Sequence, residues 1–178
     1  PTIIFAGTAL QNINEGIFRD AKAQTFTIDN GTGVQLNTNF ILNNNLNINS
    51  GKKFIISAAK TLRVNGLVSN SAGTGGLIIK ASSTLANGSL IYFNNFNNGV
   101  QATVEMYSPA TWNLSNPEGA KFNWQFFGIP VRPITANPTF YGAYVRKKLE
   151  SGTTMSNHWQ QLQNESVIEP FYGYELVQ

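Results

Sequence analysis

The chain is 178 residues long, 42% hydrophobic, 12% aromatic and only 12% charged, a balance that suits one domain or two small ones and excludes a highly charged disordered segment. Its net charge of +3 reflects scarce acids rather than clustered bases. The absence of cysteine excludes a disulfide framework and any thiolate metal site.

The only basic runs are Lys52/Lys53 and Arg146/Lys147/Lys148. Neither is interleaved with the stacking aromatics of a nucleic-acid groove, so no nucleic-acid partner is expected and both read as solvated strand ends or loops. No apolar run approaches the roughly 18 residues that cross a bilayer, so no membrane insertion is expected, and no signal-peptide pattern is visible. The chain starts at Pro1 inside what already looks like a strand, as expected of a mature or excised piece of something longer.

Residues 1–24 hold one strand (Ile3 to Phe5), a turn at Gly7 and a mixed stretch around Ile13 to Phe18. They are expected to form an N-terminal cap or a first coil, because the end of a repeat stack exposes unpaired backbone and bare core unless something covers it.

Residues 25–107 give one short strand after another. Apolar residues two apart mark Phe26/Ile28, Val34/Leu36, Phe40/Leu42, Leu46/Ile48, Phe54/Ile56 and Leu62/Val64, followed by Leu67, Leu77/Ile79, Leu85 and Leu90/Tyr92. Taken three strands at a time, the first members run Phe26, Leu46, Leu67, Leu90; the second Val34, Phe54, Leu77; the third Phe40, Leu62, Leu85. Each step is about 20 to 23 residues, the length of a solenoid coil. Alternation places these side chains on one face of each strand, and a three-sided coil turns all such faces inward. Glycines such as Gly31, Gly51 and Gly66, and the asparagines Asn43 to Asn45, Asn94, Asn95, Asn97 and Asn98, fall at the expected corners. Both residue types tolerate turn conformations, and stacked amides can bond along the axis. After a polar break at Asn94 to Gly99, the alternation of Val100, Ala102, Val104 and Met106 predicts an exit strand.

Pro109 marks a change of character. The repeat spacing stops, and aromatic strands are expected over Trp124 to Ile129, Phe140 to Val145, Trp159 to Leu162 and Phe171 to Val177. The fold class predicted is therefore all-β: a short parallel, right-handed β-helix followed by a small antiparallel β unit over residues 108–178. Trp112, Trp124 and Trp159 in so small a unit read first as core, since large aromatics bury on the order of 150–250 Å² each. Trp124, Trp159, Tyr172 and Tyr174 are the candidate carbohydrate contacts if they line up in solvent.

Catalysis meets a shortage of groups. β-Helical lyases and hydrolases need carboxylates converging as an acid/base pair or as calcium ligands, yet Asp29 and Glu105 are the only acids between Thr25 and Tyr107. His158 is the single histidine, Glu165, Glu169 and Glu175 have no G-x-S-x-G elbow with them, and "GTGG" at Gly73 to Gly76 lacks the lysine of a P-loop. No catalytic residue, metal site or cofactor is expected, and His158 reads as a partly exposed loop residue.

The segments "LNINSGKKFIISAAKTLRVNG", "GTGGLIIKASSTLANGSLIY", "ATVEMY", "WQFFGIPV" and "FYGYEL" together resemble large surface proteins of the Bacteroidetes. Those proteins carry β-strand repeats leading to a strand like "ATVERY", where this chain has Met106 in place of Arg. Their Gly-Tyr strand runs on into further strands, so the resemblance implies that the unit over residues 108–178 stops partway through a longer module. The resemblance implies an adhesin-like cargo of the type IX secretion system, secreted or held at the bacterial outer surface. Its partners would be the remaining domains of a longer chain, the secretion machinery, surface glycans or other cell-surface proteins. Two functions follow as expectations: a non-catalytic stalk or adhesin module, or a carbohydrate-binding module of a secreted polysaccharide-degrading enzyme.

Overall fold

The computed structural model describes residues 1–93, 99–117, 121–129, 132–151 and 158–178, in two compact units, residues 1–107 and 108–178. In the first unit β1 (Thr2–Gly7), β2 (Gln11–Ile13) and β3 (Lys22–Ala23) make one coil, and β4 (Thr25–Asn30), β5 (Val34–Leu36) and β6 (Phe40–Leu42) the next. The third coil is β7 (Leu46–Ile48), β8 (Phe54–Ile56) and β9 (Thr61–Val64), the fourth β10 (Val68–Asn70), β11 (Leu77–Ile79) and β12 (Ser89–Tyr92), and β13 (Thr103–Val104) follows.

Each strand pairs in parallel with its counterpart one coil on, giving three sheets in the orders β1-β4-β7-β10, β2-β5-β8-β11-β13 and β3-β6-β9-β12. The expected all-β solenoid is therefore present, with about four turns. Register sets Phe26 against Leu46, Val34 against Phe54 and Phe40 against Leu62, and all of these are buried in one continuous core. Strand alternation is the cause: one side chain in two turns inward, where burial stabilises a Leu, Ile or Phe by about 1.5–3 kcal/mol. Phe18 packs on Phe26 and Phe40 at 5.8 and 5.4 Å between ring centroids, so residues 1–24 both complete a coil and contribute an aromatic plug.

Asparagines hold the corners. Fully buried Asn30 donates to the Ala9 carbonyl (2.7 Å) and accepts from the Thr32 and Gly33 N–H groups, and Asn37 joins Asn12, Asn14, Gln35 and Ser57 across three coils.

Three positions of the expected stack are corrected. Val68, not Leu67, lies opposite Leu46; Leu67 is 46% exposed, its N–H bonded to Asn45 Oδ1 and its carbonyl to the Leu46 N–H. The reason is a tight corner, since a Cβ at Gly66 would lie 2.7 Å from the Asn44 carbonyl oxygen, and that close approach holds Leu67 over Asn45. Leu85 belongs to no strand. It is exposed in a loop whose base is pinched by the Gly88 N–H donating to the Lys80 carbonyl at 2.8 Å. That loop lengthens the coil, so Leu90 falls opposite Leu62 in the third sheet rather than in the first. The expected exit strand shrinks to Thr103–Val104, and residues 94–98 of the expected polar break lie outside the described residues.

The second unit pairs β14 (Thr111–Trp112) with β15 (Phe122–Asn123) and forms a four-stranded sheet and a further two-stranded ladder, all their pairings antiparallel. The four-stranded order is β16-β21-β18-β19, from β16 (Gln125–Phe127), β18 (Tyr144–Lys148), β19 (Trp159–Gln161) and β21 (Tyr174–Val177); β17 (Ile134–Thr135) pairs with β20 (Val167–Ile168). The strand expected over Phe140 to Val145 starts later, because Gly142 takes φ +81 and the Ala143 N–H returns to the Phe140 carbonyl in a turn. Arg146/Lys147/Lys148 consequently lie within β18, between two neighbouring strands, and are not the solvated end expected.

Candidate functional site

The inner face of the four-stranded sheet packs Phe127, Tyr174, Val145 and Leu176 into the core of the second unit. Strand alternation then fixes the outward set. Phe126 lies opposite Glu175, Arg146 opposite both Glu175 and Gln161, Lys148 opposite Trp159, and Tyr144 opposite Val177. Trp124, two residues before Phe126, joins the same face beside Tyr144, ring centroids 5.8 Å apart.

At the centre of this face is a buried charge. Glu175 is only 3% exposed and forms an ion pair with the Arg146 guanidinium. The guanidinium sits 4.1 Å from the Trp124 ring centroid and 5.7 Å from that of Trp159. Phe126 and Trp159, from the two edge strands, meet over the middle at 6.0 Å. A carboxylate removed from water is tolerated only when paired, so Arg146 is required by Glu175, and the Arg146 side chain, itself 27% exposed, lies among the aromatic rings.

Not all of the face is consumed in this way. Phe126 is 69% exposed and Tyr144 40%, Phe122 stacks on Trp124 at 5.5 Å and is itself exposed, and Trp112 opposite Phe122 is 54% exposed. Lys148 Nζ hovers 5.6 Å from the Trp159 ring and has no carboxylate partner among the described residues. The arrangement suits recognition: rings to stack on, a free cation beside them, and a fixed base beneath.

Lys147, the next residue along β18, is engaged separately. Its Nζ bonds Glu169 Oε2 at 2.8 Å and lies 3.6 Å from the Tyr172 ring centroid. The Glu169 hydrogen bond raises its pKa above the ordinary lysine value, against the opposing effect of burial.

The four aromatics picked from the sequence therefore separate. Trp124 and Trp159 are half-buried on the outward face, both against Arg146. Tyr172 is half-exposed beside Lys147. Tyr174 is fully buried on the inner face, stacked on Phe127 at 5.5 Å with its hydroxyl accepting from the Glu169 N–H, so it offers no ring to a ligand. Phe126, Arg146, Lys148 and Glu175 were not picked out. Their meeting depends on which strands pair and in what register, and alternation within one strand carries no such information.

In the solenoid the two acids of residues 25–107 are both engaged: Asp29 with Lys52 at 3.4 Å, and Glu105 with Lys80 at 2.5 Å. Glu105 borders an open cleft with Ala81, Ser82, Ser83, Met106 and Tyr107, which brings no second acid to it. His158 is half-buried before β19, and its carbonyl accepts from the Leu149 N–H. Among the described residues no three His, Asp or Glu side chains gather as metal ligands, and no helix is long and apolar enough to cross a membrane.

Over 89 residues, 49% of its length, the chain is 33% identical to a protein described as a minor fimbrium subunit of Porphyromonas gingivalis, a member of the Bacteroidetes; the match spans 7% of that protein. No family model matches the chain, and no solved structure matches it.

Proposed function

We propose that the chain is a non-catalytic structural and adhesive segment of a large cell-surface protein, a length of rod that holds attached domains away from the cell and presents its own surface for attachment. The observation that carries this reading is the continuous four-coil parallel stack, in which Asp29 and Glu105, the two acids of residues 25–107, are both tied up in ion pairs. Such a stack is stabilised coil against coil and extends in one dimension. The partial similarity to a fimbrium subunit supports a place outside the cell and a role in assembly or adhesion rather than catalysis. Export as type IX cargo, and partners among surface glycans, surface proteins and the remaining domains of the parent chain, belong to the same reading. An antibody raised against the purified chain tests it. Labelling of intact source cells is the expected result; labelling only after lysis would refute a surface role.

A second reading, a carbohydrate-binding module serving a polysaccharide-degrading enzyme, draws on one observation, the exposed aromatic face that includes Trp124 and Trp159. Activity of the parent protein on a polysaccharide, lost when this chain is removed, would favour it.

A further inference from the structure

The outward face of the four-stranded sheet combines three features that a merely structural face does not need together. Phe126 stands 69% exposed on an edge strand although strand alternation could have placed a polar residue there. Its ring meets that of Trp159, making one continuous apolar platform from two strands. Beside the platform, Lys148 holds a charge that no carboxylate among the described residues neutralises, whereas Arg146 is matched by Glu175. The net result is aromatic and positive.

The geometry points to a binding site for an acidic glycan: a hexuronate unit stacks the apolar face of its pyranose on Phe126 and Trp159 and sets its carboxylate against Lys148. Charge complementarity selects the occupant. A neutral sugar would leave the Lys148 ammonium without a partner at the edge of the platform. A run of acidic residues would satisfy the charge but has no flat apolar ring face to lay on two joined aromatics. A second copy of this chain, itself of net charge +3, is repelled overall by the positive first copy. Arg146 and Glu175 are positioning residues. Their ion pair, with its carboxylate buried, fixes Trp124 and Trp159 through the guanidinium 4.1 Å from one ring and 5.7 Å from the other, so that the platform is formed before the ligand arrives and little ordering is left to oppose binding.

This site rests on the adhesive reading and names its ligand class, yet it can fail alone. The test is titration of the whole chain with an α-1,4-linked tetragalacturonate, followed by tryptophan fluorescence and calorimetry. The fully methyl-esterified oligomer, which keeps the rings and removes the charges, and oligoglutamate are the controls. The expected results are saturable binding of tetragalacturonate that weakens with added salt, loss of most affinity on esterification, and no comparable binding of oligoglutamate. Phe126→Ala and Lys148→Gln, both at positions whose side chains are not core, should each weaken tetragalacturonate binding by about tenfold or more while leaving the melting profile in place. Lys148→Gln should also lose the salt dependence; Phe126→Ala should keep it.

Absence of binding by folded wild-type chain, equal binding of oligoglutamate, or full affinity in folded Phe126→Ala would overturn the site. None of those results touches the rod: a chain that still labels intact cells but ignores the oligomer would be an adhesive segment without this ligand.

Discussion

Ile55 and Ile56 are neighbours in β8 with opposite fates, and replacing each in turn by asparagine is a stringent test of coil register. Ile56 is fully buried between Leu36 and Ile79 in the second sheet, while Ile55 lies on the outer side between Gln35 and Ile78. Ile56→Asn loses about 1.5–3 kcal/mol of apolar burial and places an amide with no designed partner in the core, for about 1–3 kcal/mol more. A loss of roughly 3–6 kcal/mol is thus expected, in a coil whose failure interrupts the stack on both sides. Ile55→Asn exchanges one half-exposed side chain for another and should cost no more than about 1 kcal/mol. Urea unfolding followed by far-ultraviolet circular dichroism reads the difference. With a slope of about 1–3 kcal/mol per molar for a domain of this size, Ile56→Asn should move the midpoint by roughly 1 M or more, or prevent folding altogether. Equal shifts, or a larger one for Ile55→Asn, would refute the register, because a slip of one residue exchanges the two faces.

Other consequences are as definite. Arg146→Ala strands the Glu175 carboxylate in an aromatic enclosure and should destabilise the second unit by about 3–5 kcal/mol, whereas the double change Arg146→Met with Glu175→Leu should recover much of it, measured as melting temperature. Lys147 has a folded-state pKa raised by Glu169, so its contribution is fully present below the unfolded lysine value and is lost as pH rises through the higher folded value. Wild type should therefore lose more stability than Lys147→Gln as alkaline pH crosses that window; identical alkaline profiles would contradict it. Gly66→Ala drives a Cβ to within 2.7 Å of the Asn44 backbone and should cost about 1–3 kcal/mol in urea unfolding. Gly75→Ala meets nothing within 4 Å and should be neutral or stabilising by up to about 1 kcal/mol.

The solenoid was legible because its physics is local and repeated. Phe26, Leu46, Phe54 and Leu62 each announce an inward position through alternation, and the recurrence of the spacing aligns the coils. Legibility failed where one coil departs from the rest. Gly66, pressed against Asn44, shifts the stacking position from Leu67 to Val68, and the loop closed by Gly88 and Lys80 moves Leu90 to a different sheet. An apolar residue at about the right spacing gives no sign of either event.

The second unit was less readable for a different reason. Trp124, Trp159 and Tyr174 are visibly important, but whether each faces in or out depends on β21 lying between β16 and β18, strands far apart in sequence. The same pairing converts Arg146 from one member of a basic run into the partner of Glu175, and leaves Lys148 without a carboxylate partner among the described residues. Sequence showed the ingredients without their phase.

The most direct test of the rod is to remove one complete coil. Leu42 and Val64 are register partners, so deleting residues 43–64 joins equivalent points and should bring β4 against β10, with Phe26 facing Val68. Circular dichroism and the attachment of coated beads, compared with the intact chain on the same surface, are the readouts. A folded chain one coil shorter that still attaches is the expected result. Failure to fold would contradict the coil architecture, and a folded chain that no longer attaches would place the function inside the coil that was removed.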